Sequence, residues 1–276
     1  MMLTLLAGLA ATVLMNTQPA ETTGVQPAQP AQEAAKAEPT FKVLVFSKTA
    51  GFRHDSIPEG IAAIRGLGEK HGFSVEATED SAYFTAEKLE PFSVVIFLST
   101  TGDVLDKEQE GAFEAFIAKG RGYVGIHAAS DTEYEWPWYG TLVGAYFKSH
   151  PQIQEAVINV EDRSHPSTHH LTEKWKRRDE WYNFHQSPRP RVQVLASLDE
   201  TSYKGGENGD DHPIAWCHEV GGGRSWYTGG GHTKESFQEA EFLEHMAGGI
   251  LWAAGKAEKT EVKKDAAGAE HPTAVQ

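Results

Sequence analysis

The chain has 276 residues, 39% of them apolar and seven of them Trp, enough for one large α/β domain of roughly 200–250 residues with a substantial core. Its 25 Lys and Arg stand against 39 Asp and Glu, a formal charge of −14. A surface that acidic repels phosphate backbones and anionic lipid, which excludes nucleic acid as an expected partner.

Residues 3–15 form an uncharged apolar run, too short for a bilayer of about 30 Å, which takes roughly 20 residues. The run fits the apolar region of a secretory signal, with small residues such as Ala20 following it, although no Lys or Arg precedes it. We expect a signal peptide over 1–20, a disordered Ala/Pro/Gln/Glu linker over 21–39 and a periplasmic or secreted protein without a stable membrane span. A cytoplasmic protein with a frayed apolar start is the alternative. The folded domain should cover 40–255, and the tail 256–276 should be disordered. The single cysteine, Cys217, rules out an intrachain disulfide and reads as a small buried hydrophobe.

Phe41–Ser47 is a short, mainly apolar strand. Ser56-Ile57-Pro58-Glu59 then reads as a capping box with Pro just inside a helix. Ile57, Ile61, Ile64 and Leu67 mark one helical face, and Gly72 ends the helix. Ser74–Glu79 is a second strand. Ser93–Ser99 is apolar nearly throughout, as a strand covered on both faces should be. Asp106 caps a helix with Phe113, Phe116 and Ile117 inward, and Gly120 closes it. Gly122–His127 is the next buried strand. Alternation of strands and helices implies a parallel sheet with right-handed crossovers. The second half is less regular: strands are expected at Gln154–Val160, Val192–Leu198, Ile214–Glu219 and Arg224–Thr228, several of them antiparallel. A last helix should run from Glu235 to Ala254, with Leu243, Met246, Ala247, Ile250 and Leu251 as its core stripe.

Ligands of open parallel sheets bind beyond the carboxyl ends of the strands. The segments that follow those ends contain His54, Ser99 to Asp103, His127 to Thr132, and Gly229-Gly230-Gly231-His232. Small residues beside three histidines let backbone amides approach a ligand. His54, His127 and His232 are therefore expected to face one edge, with His127 at its centre. His150 and the Asp179–Phe184 segment are further candidates. Glu180, flanked by aromatics, reads either as a carboxyl raised by desolvation and fit for acid–base work or as a solvated partner of Arg177 or Arg178. His165, His169 and His170 show no spacing typical of a metal site.

Five stretches, KTAGFRHDS from Lys48, GIHAASDT from Gly125, Ser149-His150-Pro151, DEWYNF from Asp179 and GGRSWYTGGGH from Gly222, together resemble the ThuA-like proteins linked to trehalose utilisation. The resemblance implies a flavodoxin-like or class I glutamine-amidotransferase-like three-layer sandwich, with a mainly parallel central sheet and added antiparallel strands. It also carries over His54, His127, His150, Glu180, Tyr182 and His232 as pocket residues. Glutaminases of that superfamily look like strand-turn-helix elbows with a nucleophilic Cys; here His127 stands at the turn, and imidazole does not readily replace a thiolate in forming a thioester. A glutaminase is not expected.

The expected function is an exported enzyme, whether hydrolase, lyase or isomerase, acting on a disaccharide or oxidised (keto) sugar. His127, Glu180 and His232 are its candidate catalytic residues, and His54, Asp131, His150 and Tyr182 its candidate substrate contacts. Trp136, Trp138, Trp181 and Tyr182 could stack on a pyranose, though core packing claims at least two of them. A metal variant uses His54, His127 and His232, with Asp131 as carboxylate, around Zn or another divalent transition ion. The alternatives are a non-catalytic carbohydrate-binding or accessory module, and a hydrolase using Ser130, which lacks a Gly-x-Ser-x-Gly setting. The sequence leaves the oligomeric state open.

Overall fold

A computed structural model of the protein describes residues 38–258 and the backbone of 262–264 and 270–272. The expected signal peptide, nearly all of the linker and most of the tail lie outside the described residues. The first half alternates as expected: β1 (Phe41–Phe46), α1 (Ile57–His71), β2 (Phe73–Thr78), the single turn α2 (Ala86–Leu89), β3 (Val94–Leu98), α3 (Lys107–Ala118) and β4 (Gly122–Ile126). The chain continues through α4 (Pro137–Val143), β5 (Phe147–Ser149), β6 (Gln154–Val160), β7 (Lys174–Asp179), β8 (Asn183–Phe184), β9 (Gln193–Asp199), β10 (Pro213–Val220), β11 (Gly223–Thr228) and α5 (Ala240–Ala253). In the tail, Val262–Lys264 pairs antiparallel with Glu270–Pro272.

Among the described residues, nine strands form one sheet in the order β2-β1-β3-β4-β11-β10-β9-β6-β7. β2, β1, β3, β4 and β11 run parallel; β10, β9, β6 and β7 extend the sheet antiparallel. This is the expected mixed α/β architecture. The buried strands β3 and β4 are covered on both faces, which explains their unbroken apolar runs. Side chains of β11 alternate between the two helical layers. Trp226 packs on His245 of α5, whereas Tyr227 stacks on Trp216, whose indole N–H donates to the Val143 carbonyl at the end of α4.

β7 has no counterpart among the strands expected from sequence. Its residues alternate outward and inward, but the inward ones are Trp175, Arg177 and Asp179, so no period-2 apolar signal marks it. The strand is nonetheless anchored: the Arg177 guanidinium lies 4.2 Å from the Phe242 ring centre, and Trp175 sits against His245. The antiparallel half thus curls back over α5, and the end of β7 meets the loop that follows β11.

Two local expectations change. Ser56 precedes α1 but makes no side-chain cap; its hydroxyl donates to the Gly231 carbonyl at 3.1 Å, tying the segment after β1 to the loop after β11. In α5, Leu243 and Leu251 are only partly buried, and Phe242 and His245 take their place in the core, because the helix packs against β11 and also meets β7 at the edge of the same sheet.

Candidate functional site

Among the described residues, the non-glycine positions with positive φ are Ser99 (49°), His127 (52°) and Glu133 (54°). All three follow the carboxyl ends of β3 and β4. Left-handed backbone at a non-glycine residue is costly, of order 1–3 kcal/mol, and marks positions that the surroundings hold in place. At His127 the backbone turns from β4 into a single 3₁₀ segment, His127–Asp131, and this elbow places the imidazole at the sheet edge.

The His127 ring is fully buried. Its Nδ1 lies 2.9 Å from the Gly229 carbonyl; a carbonyl can only accept, so Nδ1 carries the proton and Nε2 of the neutral ring keeps its lone pair. Nε2 lies 3.2 Å from His232 Nδ1 and 3.5 Å from Glu180 Oε2. Glu180 Oε2 is in turn 3.0 Å from His232 Nδ1, and Oε1 is 2.9 Å from His150 Nδ1. Burial opposes ionisation of Glu180, but its contacts with the His127 and His232 imidazoles outweigh it and hold the carboxyl at about 2. The desolvation-raised carboxyl expected from the aromatic neighbours is therefore not what forms: Glu180 is a standing carboxylate. For His232, burial works against the charged form, and the Glu180 carboxylate overrides it, raising the imidazole pKa.

His54 follows β1 and is 4% exposed. Its ring stands edge-on to His127 and His232, with centroids 4.8 and 5.0 Å away. Burial first, then the neighbouring His127 and His232, push its pKa down to about 2, so it is a neutral donor of a lone pair. Its Nδ1 is buried and, among the described residues, has no hydrogen-bond partner.

His54, His127, Glu180 and His232 each offer one ligand atom, all within 4.8 Å of one another. The residues fit a divalent transition ion on three counts. Neutral imidazoles with one carboxylate are the donor set such ions take. A tetrahedral ion with bonds of about 2.0–2.1 Å sets its ligand atoms roughly 3.3 Å apart, and the separations among His127, His232 and Glu180 are 3.0, 3.2 and 3.5 Å. The Gly229 carbonyl fixes the His127 tautomer, as outer-shell acceptors do at metal sites. One proton could satisfy only one of those three contacts. The carboxylate in the cluster is Glu180 rather than Asp131; Asp131 instead accepts from the Tyr134 hydroxyl at 2.7 Å, and its burial raises its carboxyl pKa.

Above the cluster lies an open cavity of about 320 Å³, walled by Phe52, Asp131, Phe147 and Tyr182 together with His54, His150, Glu180 and His232. Tyr182 packs on His127, with ring centroids 4.2 Å apart. All seven residues expected at the pocket thus converge there, His127 beneath the floor. The aromatics differ from expectation. Trp136 and Trp181 are core residues, Tyr182 is 3% exposed and Trp138 stacks on Trp136; Phe52, 66% exposed and edge-on to His54, is the open ring at this cavity. Ser130 is buried, with its hydroxyl against Tyr227, and Cys217 is buried in β10; neither reaches the cavity wall.

Asp179 was not singled out in the sequence apart from its segment, yet it organises the site. Fully buried, it accepts from the backbone N–H of Gly231 at 2.8 Å, of His232 at 3.2 Å and of Glu180 at 2.9 Å, and from the Ser236 hydroxyl at 2.9 Å. Arg177 lies 3.1 Å from it. The glycines of that loop are required: a Cβ on Gly230 would lie 2.5 Å from Arg177 Nη1, and Gly231 has φ +113°, a conformation open to glycine.

Comparison with known proteins bears on the family and the fold. The model of the family ThuA, described as trehalose utilisation, matches residues 42–253. A structure described as ThuA-like from Bacteroides uniformis superposes with a TM-score of 0.68 at 26% identity, covering 88% of this chain and 98% of that one. A second, from Parabacteroides merdae, gives 0.68 at 20% identity over 82% of this chain and 94% of that one. A β-galactosidase from Bacillus circulans shares the fold at a TM-score of 0.53 and 14% identity, 81% of this chain aligning with 32% of that one. No curated protein matches the sequence.

Proposed function

The chain belongs to the ThuA family, and from that premise we propose that it is a metal-dependent enzyme acting on a disaccharide or keto sugar at the cavity above His127. Family membership supports a carbohydrate-related role. The observation that carries the finer reading is the convergence of His54, His127, His232 and Glu180, with ligand atoms within 4.8 Å of one another, beneath an open cavity. A divalent transition ion held by these four would supply Lewis acidity toward a substrate oxygen.

The surrounding side chains have separate tasks. Phe52 and Tyr182 offer apolar ring surface to the C–H face of a pyranose. Asp131, on the wall, offers a carboxyl to a substrate hydroxyl. His150, exposed and 2.9 Å from Glu180 Oε1, stands at the mouth, where a proton can pass to solvent. The buried Ser130 and Cys217 take no part, in keeping with a function other than glutaminase.

The full chain, stripped of metal and then loaded with Zn²⁺, Mn²⁺ or Fe²⁺, should be incubated with disaccharides and their 3-keto derivatives, with products read by mass spectrometry. Metal-dependent product formation, abolished in Glu180→Gln and His54→Ala, is expected. Saturable sugar binding with no product under any metal would overturn the enzymatic reading and assign a binding or accessory module.

A further inference from the structure

Tyr134 separates the histidine cavity from a second one. Among the described residues, the large apolar side chains left exposed are Phe52, at 66%, and Tyr134, at 42%, and both stand at this edge of the sheet. The Tyr134 hydroxyl lies 2.7 Å from Asp131 Oδ1 and 3.0 Å from the Phe147 carbonyl, two residues that wall the histidine cavity. Its ring lines the neighbouring cavity of about 460 Å³. There it stacks on Tyr146, with centroids 4.9 Å apart and planes 27° from parallel. Tyr146 is itself fixed, its hydroxyl bonded to the carbonyls of Glu133 and Trp136 at 2.8 and 3.1 Å. The platform is therefore rigid before any ligand arrives, which lowers the ordering cost of binding.

The polar groups of this second cavity are Thr141, His185, Gln186 and Arg191. Arg191 donates to the Gly144 carbonyl at 3.1 Å and, among the described residues, meets no carboxylate at ion-pair distance. On a chain of net charge −14, a guanidinium without a carboxylate partner has donors to spare. Its planar fork can span two neighbouring oxygens, and the amide and hydroxyl nearby offer both donors and acceptors. An aromatic ring sharing a cavity with such groups matches a pyranose, which presents C–H bonds on one face and hydroxyls around its edge.

We propose that this cavity is a second sugar subsite, binding the outer unit of a disaccharide or glycoside whose inner unit lies over the histidine cluster, with Tyr134 as the partition between the two. The assignment rests on the carbohydrate reading above and adds to it a substrate of at least two units.

Calorimetric titration of the full chain with trehalose and maltose, against glucose and methyl α-glucoside, tests it. A disaccharide should bind at least about tenfold more tightly than the monosaccharides. Arg191→Ala and the cavity-filling Thr141→Trp, placed at an exposed position of α4, should each remove most of that advantage while leaving monosaccharide affinity within about twofold, and Tyr134→Ala should remove it too. Equal affinity for one and two units, or variants that weaken both alike or neither, would overturn the subsite and leave the carbohydrate reading standing. Preference for an anionic glycuronide that vanishes in Arg191→Ala and survives in Tyr134→Ala would reassign the cavity to an anion. Wild type that binds none of these sugars would overturn both readings.

Discussion

At the scale of single residues, the cluster depends on two kinds of group. His54, His127, His232 and Glu180 supply lone pairs, and Asp179 decides where two of them sit. Asp179 holds the backbone on both sides of the cavity, through Gly231 and His232 on one and Glu180 on the other. Asp179→Asn keeps the shape but removes the charge opposite Arg177, and breaking a buried pair typically costs about 3–5 kcal/mol. Urea unfolding should register a loss of that order, reduced where Glu239 still pairs with Arg177. Zn²⁺ affinity should fall about 10- to 100-fold, as it does when outer-shell partners are removed. Unchanged stability and metal affinity would contradict the positioning role. The three histidines were legible in the sequence, because each follows the carboxyl end of a recognisable strand. The charge state of Glu180 was not: its aromatic neighbours suggest desolvation, while the imidazoles that override it come from residues 53 and 52 positions away on either side.

At the scale of elements, β7 and α5 show why the second half was harder to read. Strand β7 turns Arg177 and Asp179 inward, so it carries no apolar alternation, and its partner surface on α5 includes a histidine. His245 is fully buried between Trp175 and Trp226, donates from Nδ1 to the Ser167 carbonyl at 2.8 Å and is pushed down to about 3 by burial. A histidine depressed in the folded state stays neutral while the unfolded chain takes up a proton. Its contribution is complete above about 6.5, the unfolded value, and is lost as pH falls toward 3. His54 acts in the same direction. Stability measured by denaturant should therefore decline with acidification across that window. His245→Gln should cost about 1–3 kcal/mol at pH 7, for the buried bonds it loses, yet show a shallower decline below pH 6.5. An unchanged pH slope would contradict this role for His245. The Ser56 hydroxyl is a related case, since the local pattern promises a helix cap and the tertiary fold gives the hydroxyl to Gly231.

At the scale of the molecule, the five parallel strands and the four antiparallel ones meet at the site. His54, His127 and His232 come from the parallel half, and Glu180 from the end of the strand farthest along the sheet. Only the curl of the antiparallel half over α5 brings the carboxylate to the histidines. An ion bound by all four would link the two halves in the folded state alone. At 100-fold excess over its dissociation constant, such a ligand adds about 2.7 kcal/mol. For a domain of this size that corresponds to a rise of about 5–10 °C in unfolding midpoint. Zn²⁺ should raise the midpoint of wild type by that amount and EDTA should reverse it, while His127→Ala should respond to neither. Wild type and variant responding equally would place the ion elsewhere.

The most direct measurement is anomalous diffraction, above and below the zinc absorption edge, from crystals of the full chain equilibrated with Zn²⁺. The account predicts one strong peak at the floor of the cavity, about 2.0–2.2 Å from atoms of His54, His127, His232 and Glu180. A map with no peak there, or with zinc only on surface carboxylates, would contradict it.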